Sequence, residues 1–242
     1  MPHWSLLRAA ASAQLMIRVA NEHGVSSERC VSSTGLSHLD LGDPLREISG
    51  QQELGVLRNI LRALGPDVPF GYLAGLRYRL TTHGMWGFAI LSSADGWSAV
   101  DVSVRYFDLS FSFNRLTFET NGRVGRLLYD DADNPDDLRG VLVERDIGAL
   151  VAFERDSLGR VLPALSLQFR GPPPTYPDPF EAQFGVAPRY DAAVNCVEFD
   201  LAVLDLRPVL ADERGQRVSL DQCRASRSHI DAALAKAHSS DV

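Results

Sequence analysis

Just past Phe107 the apolar periodicity of the chain changes from about 3.6 residues to about 2, and no other feature narrows its possible folds as far. Upstream, segments 4–20, 50–64, 68–80, 85–93 and 96–107 carry apolar residues at helical spacing. Downstream, Phe111, Phe113, Leu116 and Phe118 alternate along one strand and Val124 to Tyr129 form the next, with a phase slip at Asn114 and Arg115 that marks a bulge. Asn121 and Gly122 between them predict a two-residue type I′ hairpin, whose central positions both need positive φ. Leu138, Val141, Leu142, Ile147, Leu150, Val151 and Phe153 then recur at helical spacing over about 135–156, which predicts a helix lying across the sheet. A strand at 164–170, the loop GPPPTYPDP, a short helix at 178–184 and a strand pair around 187–199 follow. Helices first and sheet segments later predict an α+β fold rather than a doubly wound parallel sheet. It has an N-terminal helical half, then a small, mainly antiparallel sheet with a long helix packed across it.

Local punctuation supports this reading. Ser49 is a cap-like start for the helix at 50–64, and Gly65 with Pro66 ends it. Pro69 falls in the first turn of the next helix, His83 and Gly84 break that helix, and Asp95 caps the one over 96–107. The stretch 25–46, rich in Ser, Gly and Asp, is irregular. Ser219 opens SLDQCRASRSHIDAALAKAH, an amphipathic helix with Leu220, Cys223, Ile230 and Leu234 as its buried stripe. We therefore divide the chain into an α+β domain at 1–218 and a helix at 219–242 that serves as a connector or dimerisation segment.

Several function classes are disfavoured. With 31 acidic against 24 basic residues, the chain has a net charge of -7, and no long-range field draws this domain to phosphate. Only Lys236 among the basic residues is a lysine, so the abundance of arginine says little about any one site. No run approaches the ~18 apolar residues of a membrane span, and a cytoplasmic location is expected. Cys30, Cys196 and Cys223 are odd in number and widely spaced, which argues against a disulfide framework. His23, Cys30 and His38 fit no zinc spacing, and the cluster of Asp130, Asp131 and Asp133 with Asp136 and Asp137 lacks the Gly and Glu of a calcium loop, so neither metal nor cofactor is expected. GRVGR at 122–126 lacks the strand-to-helix setting of a phosphate loop. Glu144, Asp146, Glu154 and Asp156 read as the solvated face of their helix rather than as an acid–base pair. No catalytic residue is assigned, and the chain is not expected to be an enzyme.

The aromatic density from Trp86 to Phe118 is first of all core material. Its functional reading is an apolar pocket between the helical half and the sheet. The candidate ligand-binding residues are Trp86, Phe88, Arg105, Tyr106, Phe111, Phe113 and His83, with Arg77 and Arg79 as further polar anchors.

Gly84, Gly87, Phe88, Ala89, Leu91, Ser92, Ser93, Arg105 and Tyr106 carry one half of a longer pattern. Phe184, Gly185, Asn195, Val197, Phe199, Asp200, Leu204 and Asp205 carry the other. Together they resemble the effector-sensing, arabinose-binding-like domain of AraC/XylS-type transcription regulators. The resemblance implies a small-molecule effector, a homodimer, and DNA contact only through a C-terminal helix-turn-helix domain that these 242 residues lack. Other classes remain open: a free-standing small-molecule-binding protein, a small enzyme using the same pocket, or an oligomerisation module.

Overall fold

The computed structural model describes residues 7–37, 41, 43 and 46–240, with side chains in the last helix only as far as 232 and at 235. Residues 4–6 of the first predicted helix, His38 and the side chain of Leu234 lie outside the described residues. The first helix does not start where the pattern predicts. Leu7–Ala9 form a strand, β1, paired antiparallel with β2 (Glu47–Ser49), and helix α1 runs over Ala11–Glu22. The stretch read as irregular contains a short helix, α2 (Ser27–Val31), because the Ser26 hydroxyl accepts the Arg29 N–H.

Ser49 caps α3 (Gly50–Leu64) as expected: its Oγ accepts the Gln52 N–H at 3.2 Å while Gln52 Oε1 accepts the Ser49 N–H at 3.0 Å. The single helix expected at 68–80 divides into α4 (Phe70–Gly75) and a 3-10 turn at Leu80–His83. The Leu80 N–H is taken by the Asp156 carboxylate at 2.9 Å, which commits the chain to a new turn. Gly84 then adopts a φ of +57° and opens α5 (Gly84–Leu91), and Asp95 caps α6 (Gly96–Arg105) by accepting the Ser98 N–H at 2.8 Å.

The sheet has strand order β3 (Arg115–Asn121), β4 (Val124–Asp130), β6 (Cys196–Asp200), β5 (Ser166–Gln168), all antiparallel. The hairpin turn is one residue later than predicted. Asn121 pairs with Val124, Gly122 alone takes a positive φ of +59°, and Arg123 follows, the φ pattern of a II′ turn rather than I′. Phe111 to Asn114 are not strand, because their polar members turn inward to a buried carboxylate. The strand pair expected at 187–199 is a single strand: Pro188 and Asp191, the latter at φ +53°, bend the chain, leaving only a bridge from Gln168 to Arg189.

Helix α7 (Arg139–Leu158) lies across this sheet. Val143, Ile147 and Val151 pack on Leu127, Tyr129, Leu167 and Val197, while Leu138, Leu142 and Ala149 join the core made by α1 and α3. It is the axis of the molecule, covered by the sheet on one side and by α4 on the other. After α8 (Glu181–Phe184), β6 and a 3-10 turn at Leu201–Asp205, the last helix, α9 (Glu213–Ser240), begins six residues before the predicted Ser219. Asp212 causes the early start by accepting the Arg214 and Gly215 N–H groups. Cys223 of α9 is buried with Trp86 and Ile90 of α5 and Val102 of α6.

Candidate functional site

A cavity of about 150 Å³ lies between α5 and α6 on one side and α7 and the sheet on the other. Trp86 and Ile90 come from α5, Val100 and Ser103 from α6, Leu150, Phe153 and Glu154 from α7, and Tyr129 and Phe199 from the sheet. Its size suits a ligand of about one aromatic ring, since an engineered apolar cavity of about that volume binds benzene. Two close backbone approaches hold the wall in place. A Cβ on Gly87 would sit 1.7 Å from the Leu80 carbonyl oxygen, and one on Gly96 would sit 2.6 Å from Leu204 Cα. The Trp97 indole N–H also donates to Asp205 at 3.1 Å, tying α6 to the turn after β6.

One end of the cavity rests on a buried ionic network that spans five segments of the chain. Arg145 donates to the Phe111 carbonyl at 2.8 Å and to Glu53 at 3.4 Å, and lies 3.6 Å from Asp146. Glu53, wholly buried, also accepts from Ser12 at 2.5 Å and from Arg8 at 3.5 Å. Asp146 accepts from the Ser112 hydroxyl and from Asn114 at 2.8 Å. Burial pushes the Asp146 carboxyl up, opposed by Arg145 and by those two hydrogen bonds.

Burial also shifts two further groups on the cavity wall. His83 is driven down to about 3 by desolvation, helped by the nearby Arg145 and Arg8 charges, so its ring is neutral. Glu154 is pushed up to about 8 by burial, against the Leu162 N–H that it accepts at 2.8 Å. Near neutral pH its carboxyl is mostly protonated.

The structure brings only some of the predicted ligand residues together. His83, Trp86 and Phe111 line the cavity. Tyr106 and Phe113 are buried elsewhere, Tyr106 beneath Arg227 of α9 at 6.0 Å and Phe113 beneath Arg8 at 4.6 Å. Phe88 is 43% exposed on the outer face of α5. Arg105 faces solvent and pairs with Asp101 at 2.7 Å, Arg77 pairs with Glu22, and Arg79 pairs with Asp156, so none of the three is an anchor inside the cavity.

The carboxylates of α7 depart from their expected solvated face: Asp146 is buried and Glu144 and Glu154 are half-buried. The signal was available in the run IGALVAF at 147–153, which circles the helix twice in apolar residues and so leaves no side for water. Arg145, Asp146 and Glu154, missed as site residues, lie on that helix. Beneath the proline-rich loop a wider groove of about 900 Å³ is more polar. Glu144 there accepts from the Tyr176 hydroxyl and is pushed up to about 7 by burial.

Four residues of the acidic cluster are engaged by arginines, Asp131 with Arg170, Asp133 with Arg115, Asp136 with Arg139 and Asp137 with Arg58, and Asp130 accepts the Ala132 N–H. Among the described residues no His, Cys, Asp and Glu side chains gather as a metal site, and no helix is long and apolar enough to cross a membrane.

Comparison with known families matches residues 24–208, including the cavity wall from His83 to Phe199, to the arabinose-binding domain found at the N-terminus of AraC transcription regulators. The chain belongs to this family. Among related proteins, an uncharacterized HTH-type transcriptional regulator of Mycobacterium tuberculosis is 30% identical over 139 residues, 57% of this chain and 40% of that one. The ornithine utilization regulator of Pseudomonas aeruginosa is 23% identical over 233 residues, 91% of this chain and 65% of that one. The crystal structure of the transcriptional regulator CdpR from Pseudomonas aeruginosa shares the fold, with a TM-score of 0.62 at 17% identity over 88% of this chain and 62% of that one. The chain thus spans less than two thirds of the length of each of these proteins.

Proposed function

We propose that this arabinose-binding-type domain is a non-catalytic sensor. A small molecule occupies the cavity between α5, α6, α7 and the sheet, and its occupancy alters how α9 is held. One observation carries the reading: α5 walls the cavity through Trp86 and Ile90 and is also the helix that holds α9. Cys223 lies in one buried cluster with those two residues, Gln216 donates to the Ser93 hydroxyl at 3.1 Å, and the Asp212 N–H donates to the Ser92 carbonyl at 3.0 Å. A ligand shifts such an equilibrium only as far as its affinity differs between the two arrangements. In the whole regulator the change would pass through α9 to a DNA-reading helix-turn-helix in a cytoplasmic homodimer, whose symmetry matches paired half-sites on DNA.

The test is a metabolite screen by thermal unfolding of the 242-residue chain, followed by hydrogen exchange on any compound that stabilises it. A true effector at 100-fold over its Kd should raise Tm by about 5–10 °C, the stabilisation from mass action spread over a domain of this size. It should protect the amides of α5 and α9 and be recovered chemically unchanged. Consumption of the compound would point to an enzyme, and protection that never reaches α9 would remove the proposed output. Arg105→Ala, outside the cavity, should leave the stabilisation intact.

A further inference from the structure

His83 stands at the bend between the 3-10 turn and α5, with ring centroids of Trp86, Phe111, Phe153 and Tyr78 at 5.0–5.9 Å from its own. Both of its ring nitrogens are shut off from solvent, and neither has a hydrogen-bond partner. Buried polar atoms are nearly always paired in folded proteins, and a group without a protein partner on the wall of a cavity is paired by what the cavity holds, a water or a ligand atom that displaces it. Burial holds this ring neutral, and a neutral imidazole offers one N–H donor and one acceptor nitrogen. A hydroxyl, itself donor and acceptor, pairs with either ring nitrogen in either tautomer, one nitrogen at a time.

The charges nearby are already taken. Arg145 is engaged by Glu53, Asp146 and the Phe111 carbonyl, and Asp146 by Arg145, Ser112 and Asn114. No other lysine or arginine lines the cavity among the described residues, so a carboxylate entering it would meet no unengaged cation. Glu154, the remaining acid on the wall, keeps its proton near neutral pH and offers an uncharged surface.

We propose that the effector is a neutral, mainly apolar molecule of about one ring in size that carries a hydroxyl, and that the His83 imidazole hydrogen-bonds this hydroxyl. The inference rests on the cavity being the effector site.

Four single-ring probes test it by calorimetric titration of the full chain at neutral pH: phenol, benzene, benzoate and benzylamine. In a purely apolar cavity benzene outbinds phenol, because the buried hydroxyl goes unpaired. Here phenol is expected to bind at least fivefold tighter than benzene, with benzoate weakest. His83→Phe, which keeps the ring and removes both nitrogens, should reverse the order of phenol and benzene, and His83→Gln, which keeps a donor and an acceptor, should restore it. If benzene binds and outbinds phenol in the unaltered chain, the cavity admits small molecules but the inference is overturned. The same holds if His83→Phe preserves the phenol preference. Tightest binding of benzylamine would move the polar contact to Glu154, and tightest binding of benzoate would move it to Arg145; each overturns the inference. If none of the four binds, the reading of the cavity as the effector site fails as well. Should His83→Phe not fold, His83→Leu takes its place, and a phenol preference that survives it overturns the inference.

Discussion

Replacing Gly75 with alanine probes the contact on which the architecture turns. Gly71 and Gly75 lie one helical turn apart on α4 and press directly onto α7, Gly71 at Val141 and Glu144 and Gly75 at Arg145 and Gly148. A Cβ on Gly75 would sit 2.3 Å from the Arg145 carbonyl oxygen, 2.8 Å from Gly148 Cα and 2.9 Å from the Ala149 nitrogen. The first distance is about 1.1 Å inside the 3.4 Å at which ordinary contact begins. All three atoms are backbone, so no rotamer change relieves the clash, and α4 must withdraw by about 1 Å. A gap of about that width forfeits a quarter to a half of the dispersion energy along the contact, and overpacking of this kind costs about 1–3 kcal/mol. The better helix propensity of alanine returns about 1 kcal/mol. Taking the upper end, because both sides are backbone, the net loss is about 2 kcal/mol, or a fall in Tm of about 4–8 °C. Urea and thermal unfolding followed by far-UV circular dichroism measure it, with Gly140→Ala as the control. Gly140 is on the same α7, exposed, with nothing within 4 Å of an added Cβ, so alanine there should be neutral or slightly stabilising. Equal stability of the two variants would refute the close-approach argument.

Two further outcomes follow from the buried charges. Glu154 holds its proton up to about pH 8 in the folded state but only to about 4.5 in the unfolded chain, so the folded state binds more protons in that window and stability declines as pH rises through it. Glu144 acts with the same sign up to about pH 7. Glu154→Gln should therefore gain Tm relative to the unaltered chain progressively from about pH 4.5 to about pH 8; parallel curves would show that the carboxyl is not desolvated. Glu53→Gln leaves Arg8 and Arg145 short of countercharge and should cost about 3–5 kcal/mol in urea unfolding, with part recovered when Arg145→Met is added. Strictly additive losses would show that the two residues are not coupled.

Much of the fold was legible because its signals are local. The capping box at Ser49 and Gln52, the Asp95 cap, the β3–β4 hairpin and the long α7 all follow from residues a few positions apart. Some errors are local, as with the caps at Ser26 and Asp212, and others fall where a distant group overrides a local preference. Asp156 claims the Leu80 N–H and divides one predicted helix, while pairing with β2 draws Leu7–Ala9 into a strand. Asp146 collects Ser112 and Asn114 and ends the strand pattern that Phe111 and Phe113 suggest.

The candidate site was less legible, for the same reason. Periodicity and composition alone are enough to predict an α+β chain with an aromatic-rich centre, and Trp86, Phe111 and His83 could be picked as cavity residues from it. Which aromatics face the cavity depends on how α5 and α6 are rotated against α7, and that rotation is fixed by close backbone contacts at Gly87 and Gly96 rather than by any repeat in the sequence. Phe88 and Arg105 carry the same residue chemistry as true wall positions, yet they point outward. Local sequence determined which segments coil and which extend, because capping and periodicity act over a few residues. Only the tertiary structure decided which polar groups are sealed from water, and hence that His83 is neutral and unpaired and that Glu154 keeps its proton, because desolvation is a property of everything packed around a side chain.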